Sequence, residues 1–207
     1  MELFERLASV GREWNVLTHP FYTRWERGEL EPAELGFYAG QYRHAVCALA
    51  DAATAAREGA DGALQHELAE HAAEERMHVE LWDDFTRAVG GEIDSPARPE
   101  TAECVSSWTA GRDTLESLAV LHAIESAQPE ISGTKLRGLV EHYGLEEGPA
   151  TAYFALHAER DHAHAAHSRA VLEQRATDED TERLVDAAER ALRGNWRLLD
   201  GVEAAAR

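Results

Sequence analysis

The stretch from His157 to His167, HAERDHAHAAH, places four histidines and an aspartate in eleven residues of an alanine-rich segment. Spacing separates them into two sets. His157, Asp161 and His164 stand at i, i+4 and i+7. At about 100° per residue these positions fall within roughly 60° of one another on a helix. His162 and His167 point away from that face. The stretch therefore offers three candidate metal ligands and two bystanders.

A second stretch, LAEHAAEERMHVELWDDF, sets Leu68, His71, Glu75, His78, Trp82 and Phe85 at three- and four-residue steps, with ionisable groups in the middle of an apolar stripe. Glu75 and His78 form E-x-x-H, the i, i+3 pair from which helix bundles build carboxylate-bridged metal sites. Glu74 is a rival carboxylate, but it lies on the opposite flank of His78 from Leu68 and Trp82, which favours Glu75. A solvated helix with accidental registry is the plain alternative. In a third stretch, LAVLHAIESAQP, Glu125 sits on a segment too apolar for a surface helix. A lone glutamate there is costly unless it coordinates a cation or pairs with a base such as Lys135 or Arg137.

Taken together, Glu75, His78, Glu125, His157, Asp161 and His164 supply three carboxylates and three imidazoles from three helices. Two ferrous ions would bring a charge of +4 against −3, leaving a buried site nearly neutral. Oxygen and nitrogen donors without thiolate suit iron or manganese, and also zinc. His44 and His71 are candidates for outer groups that orient the ligands.

The elements that must hold these residues are helical throughout. Leu3, Leu7, Val10, Trp14 and Leu17 make a first stripe, and HPFYTRWERGELEP interrupts it with a short helix ending near Gly28. Long helices are expected from Pro32 to about Arg57 and from about Ala63 to Val89, the latter stopped by Gly90-Gly91. Shorter ones follow near 100–110 and 114–128, with Pro129 kinking or restarting the latter. Others are expected near 130–143, 149–174 and 178–204. Alternating β patterns and long linkers are absent, so residues 1–207 read as one all-α domain, a helical bundle. Glu75, Glu125 and His157 should converge on one interior pocket of it.

Twenty basic against thirty-nine acidic residues give a net charge of −19, which disfavours nucleic acid and anionic membranes as partners. No apolar run approaches the 18 or so residues of a membrane span. The opening ELFERLASVGREW is amphipathic, unlike a secretory leader, and the expectation is a cytoplasmic protein. Cys47 and Cys104 form no CxxC, which argues against a thiolate cluster.

Over roughly residues 14 to 175 the chain resembles the heme-oxygenase-like diiron oxidases, a branch of the TenA/PqqC-type superfamily. It is most similar to the group typified by the chlamydial death-domain-associated protein. The resemblance is carried by HPFYTRWERGEL, FYAGQYRHAV, HVELWDDF, AIESAQPEISGTKLRGL and YFALHAERDHAHAAH. The first two recur across the superfamily, whereas H-x-x-x-D-x-x-H with upstream Glu125 and His78 belongs to the diiron branch. The resemblance implies His78, Glu125, His157, Asp161 and His164 as iron ligands. Where the chlamydial-type proteins place a further glutamate, this chain has His71. Either Glu75 supplies that carboxylate or His71 binds in its stead. The same group is implicated in making p-aminobenzoate with tyrosines and a lysine, and Tyr22, Tyr38 and Lys135 match those positions, although the two tyrosines equally suit packing.

The implied function is a non-heme diiron oxidase or oxygenase that binds two Fe2+, or manganese, and uses O2 to oxidise a small amine or amino-acid-like metabolite. The alternatives are a self-sacrificing p-aminobenzoate-forming protein of the chlamydial type, and a metal-free TenA/PqqC-like enzyme or partner-binding helical protein. The resemblance also makes a homodimer the expected assembly.

Overall fold

Residues 2–205 are described here in a computed structural model. Among them are nine α-helices and no strand: α1 (Glu2–Glu13), α2 (Pro20–Glu26), α3 (Pro32–Glu58), α4 (Gly62–Ala88), α5 (Pro99–Trp108), α6 (Thr114–Glu125), α7 (Gln128–Glu141), α8 (Ala152–Arg175) and α9 (Thr181–Ala205). The proline-led starts of α2, α3, α5 and α7 put a residue without an N–H where the helix has no partner for one. At its C-terminal end, α4 turns off through Gly90 at φ +72°, a conformation that favours glycine.

The expected boundary near Pro129 is a restart rather than a kink. The Ser126 N–H bonds to the His122 carbonyl at the end of α6, and Pro129 sits in the first turn of α7. This ends α6 on Glu125 itself. The segment 178–180, expected to open the last helix, is instead a 3-10 turn, with α9 following from Thr181.

One apolar core draws residues from all nine helices. α6 lies at its middle, almost wholly buried and packed against α3, α8 and α9. The short helix α2 inserts Phe21, Tyr22 and Trp25 into the core. Trp25 docks on α7, where its Nε1–H donates to the Lys135 carbonyl at 3.2 Å. Gly138 makes that docking feasible, because a Cβ there would lie 2.7 Å from the Trp25 ring. No helix among the described residues is long and apolar enough to cross a membrane.

Candidate metal centre

α4 and α8 run antiparallel past each other, and their ionisable faces meet. The His71 ring lies 4.1 Å from that of His164, and the His78 ring 4.5 Å from that of His157, so the pairing crosses over along the two helices. Glu125 enters from the last position of α6. His71, Glu75, His78, Glu125, His157 and Asp161 are all buried, none more than 5% exposed.

The donor atoms face one another. His71 Nε2 lies 2.8 Å from Glu125 Oε1, and His78 Nδ1 lies 3.2 Å from Glu75 Oε1. His164 Nδ1 is 3.7 Å from the same Glu75 oxygen and 3.9 Å from Asp161 Oδ1. Two compact groups result, His71–Glu75–Glu125–His164 and Glu75–His78–His157, each with one ligand atom per residue within 4.8 Å of the others. Glu75 belongs to both. Asp161 lies beside them with both oxygens buried.

Nine buried atoms here have no hydrogen-bond partner. They are His71 Nε2, Glu75 Oε2, His78 Nδ1, both carboxylate oxygens of Glu125 and of Asp161, His157 Nε2 and His164 Nδ1. Buried polar atoms in proteins are nearly always satisfied, so such a concentration needs an explanation. Close approach of oxygen and nitrogen lone pairs without hydrogen-bond geometry is what cation ligands require. The residues therefore fit a metal ion on both chemistry and spacing.

The electrostatics agree. Burial, reinforced by Glu75, holds the Glu125 carboxyl well above the usual carboxylate range. Burial, with Glu75 and Glu125 nearby, pushes Asp161 up to about 9. Burial also drives His157 down to about 4 and lowers His71 and His164. Glu75 goes the other way. Burial would raise it, but His78, His157 and His71 hold it below its ordinary value. Without a cation, burial thus favours neutral imidazoles at His71, His157 and His164 beside the carboxyls of Glu125 and Asp161, which it holds toward their protonated forms. A bound cation would take the place of those protons.

A second buried constellation adjoins the first. The Tyr153 ring stacks on His157 at 3.9 Å, and its carbonyl accepts from His157 Nδ1 at 2.7 Å. Tyr153 meets Trp82 edge-on at 4.7 Å, and Trp82 lies against Tyr42 at 5.1 Å. Lys135 is fully buried, its Nζ without a hydrogen-bond partner, 4.7 Å from the centre of the Tyr42 ring, 4.9 Å from Tyr22 and 5.5 Å from Tyr38. The Tyr22 and Tyr38 hydroxyls are hydrogen-bonded at 2.8 Å. Burial pushes both phenols well above their ordinary values and the Lys135 amine well below its own.

The structure thus brings together Glu75, His78, Glu125, His157, Asp161 and His164, with Tyr22, Tyr38 and Lys135 in the adjoining cage. Glu125 pairs with neither Lys135 nor Arg137. Glu75 and His71, weighed as alternatives, both face the centre. His44 does not, because its Nε2 meets the Ser95 carbonyl at 2.9 Å. His162 is exposed, and His167 meets Glu67 at 3.2 Å on the outer surface. One signal could have placed His71 from the outset. The spacing H-x3-(E/D)-x2-H occurs twice, as His71–Glu75–His78 and as His157–Asp161–His164, and antiparallel packing sets the two copies against each other.

An all-α bundle with a buried histidine and carboxylate centre on three of its helices is the architecture of a redox metalloenzyme, and comparison with known proteins gives the same class. Residues 37–196 match the family described as iron-containing redox enzyme, and the chain belongs to that family. It is 26% identical to a 4-aminobenzoate synthase of Chlamydia muridarum, covering 97% of this chain and 89% of that protein. It is 28% identical to a 4-aminobenzoate synthase of Nitrosomonas europaea, covering 96% and 89%. Among solved structures, a TenA homologue from P. horikoshii OT3 superposes with a TM-score of 0.79 at 15% identity, covering 97% of each chain. A TenA homolog from Pseudomonas syringae reaches 0.83 at 15% identity, covering 98% and 91%. At those identities the two structures define the fold alone, the heme-oxygenase-like bundle expected from the sequence.

Proposed function

We propose that this protein holds two divalent ions, ferrous iron or manganese, at the α4–α6–α8 cluster and turns O2-derived oxidising power on its own buried tyrosines, forming 4-aminobenzoate. His71, Glu125 and His164 would hold one ion, His78 and His157 the other, with Glu75 shared and Asp161 beside both. The bound ions would supply the electrons that O2 accepts. The chain's own residues do the rest. The buried walls keep bulk water from the centre. Tyr153, stacked on His157 and edge-on to Trp82, places aromatic side chains continuously between the cluster and the cage.

The observation that carries this reading is Lys135. An amine buried without a partner among three tyrosine rings is costly to fold around, so its retention calls for a chemical use. Burial favours its neutral form, with a lone pair available. A tyrosine ring carries carbon para to oxygen, whereas 4-aminobenzoate carries a carboxyl para to nitrogen. With O2 as oxidant, Cβ would be oxidised to the carboxyl as the Cα–Cβ bond breaks. The Lys135 amine would displace the phenol oxygen, which leaves as water, and its Cε–Nζ bond would then break as Cε is oxidised to an aldehyde. The naming of the relatives from Chlamydia and Nitrosomonas as 4-aminobenzoate synthases supports the same product.

The test uses protein produced with ring-labelled tyrosine, loaded with iron or manganese, and exposed to O2 and a reductant. Labelled 4-aminobenzoate is expected, at no more than one per chain, with loss of one side chain at Tyr22 or Tyr38 in the peptide masses. Many turnovers of an added small amine with both tyrosines intact would instead identify an oxidase of a separate metabolite. Unlabelled product would exclude the protein's own tyrosine as its source.

A further inference from the structure

The two α8 histidines present opposite ring nitrogens to the centre, and they are held by different means. His157 donates Nδ1–H to the Tyr153 carbonyl one turn back on its own helix, which leaves Nε2 facing inward. His164 faces inward with Nδ1, so it needs an acceptor for Nε2–H on its outer side. That acceptor is Glu74, whose Oε2 lies 3.0 Å from His164 Nε2. Arg160, one turn before His164, donates to the other Glu74 oxygen at 3.0 Å. His164 is also the most exposed member of the cluster, its side chain 12% accessible where the others reach at most 5%. Without an outer partner its ring is the one with room to turn or change tautomer.

We infer that Glu74, held by Arg160, is a positioning residue that fixes His164 as the Nε2–H tautomer with Nδ1 aimed at the centre. An ionised carboxylate can only accept, so the histidine nitrogen beside it must carry the proton. The lone pair is then left on the inward nitrogen, as in carboxylate–histidine–metal arrangements. The ordinary alternative is a surface ion pair, with Glu74 30% and Arg160 54% exposed, which contributes little to stability. The two alternatives differ in what they predict for His164. This inference rests on the metal-centre reading for its consequence but not for its geometry, which is a property of the metal-free chain.

The experiment is long-range 1H–15N NMR of the metal-free protein labelled in histidine, followed by metal competition with a chelator. Wild type is expected to show His164 protonated at Nε2. Glu74→Ala should give a mixture of tautomers and weaken one of two ferrous-binding events by about 10- to 100-fold. Glu74→Gln retains a carbonyl acceptor and should restore the Nε2–H tautomer and most of the affinity. Unchanged His164 signals in Glu74→Ala would overturn the inference, as would a glutamine variant no better than alanine. Wild-type protein that binds no metal but shows the expected tautomer change would remove the metal reading and leave the positioning role intact.

Discussion

Ferrous iron added without oxygen is expected to raise the thermal midpoint of the metal-free protein by roughly 8–16 °C. Metal that binds only the folded form at about a thousand times its Kd contributes about 4 kcal/mol. For a domain of this size each kcal/mol moves the midpoint by about 2–4 °C. The direction follows from the cluster itself, whose close-set carboxyls and partnerless imidazoles are costly to bury without a cation. His157→Ala should reduce the rise, because it removes a donor from one of the two groups that share Glu75. His162→Ala and His167→Ala should leave it intact, since those side chains lie outside the centre. Calorimetry of the four proteins with and without iron is sufficient. Equal losses in all three variants would mean a diffuse histidine patch, and a protein that only binds a partner helix would show no rise at all.

Lys135→Met should have the opposite effect on stability while ending 4-aminobenzoate formation. Methionine fills a similar volume without an amine, and replacing an unpaired buried polar group by an apolar one is expected to stabilise by about 1–4 kcal/mol near neutral pH. The pH dependence gives a second signature. Burial lowers Lys135 well below the 10.5 of an exposed lysine. Between its folded value and 10.5 the unfolded chain therefore binds one more proton than the folded one. Wild-type stability then climbs with pH in that window, by up to about 1.4 kcal/mol per pH unit. The variant lacks this slope. Its advantage should be greatest below the folded value of Lys135 and should shrink as pH approaches 10.5, as denaturant titrations at several pH values would show. A variant less stable than wild type at every pH would mean that the amine makes a favourable contact the cage geometry does not contain.

Much of the fold and most of the centre were legible in the sequence because both depend on local periodicity. A helix brings i, i+4 and i+7 together whatever its neighbours do, so His157, Asp161 and His164 could be grouped without knowing what faces them. Glu125 was legible for a different reason, since a charge in the apolar segment LAVLHAIE has few inexpensive explanations. What stayed open depended on long-range packing. Whether Glu75 or His71 turned inward could not be decided on α4 alone. Both do, because the antiparallel face of α8 is wide enough to meet the whole stripe. His44 has a suitable residue type on α3, yet the loop after α4 supplies the Ser95 carbonyl that engages it. Glu74, set aside as a ligand because of its flank, sits on the outer side of His164, a role that only the α4–α8 seam reveals. The aromatic route through Tyr153 and Trp82 likewise joins residues far apart in sequence, and no local pattern announces it.

The central claim is that the facing triads of α4 and α8, with Glu125, form one two-ion redox centre. Anomalous diffraction at the iron edge from crystals grown anaerobically with ferrous iron tests this most directly. The account predicts two peaks within the bundle, one among His71, Glu125 and His164 and one beside His78 and His157, with Glu75 reaching both. Density confined to surface carboxylates, with the interior cluster free of metal, would contradict it.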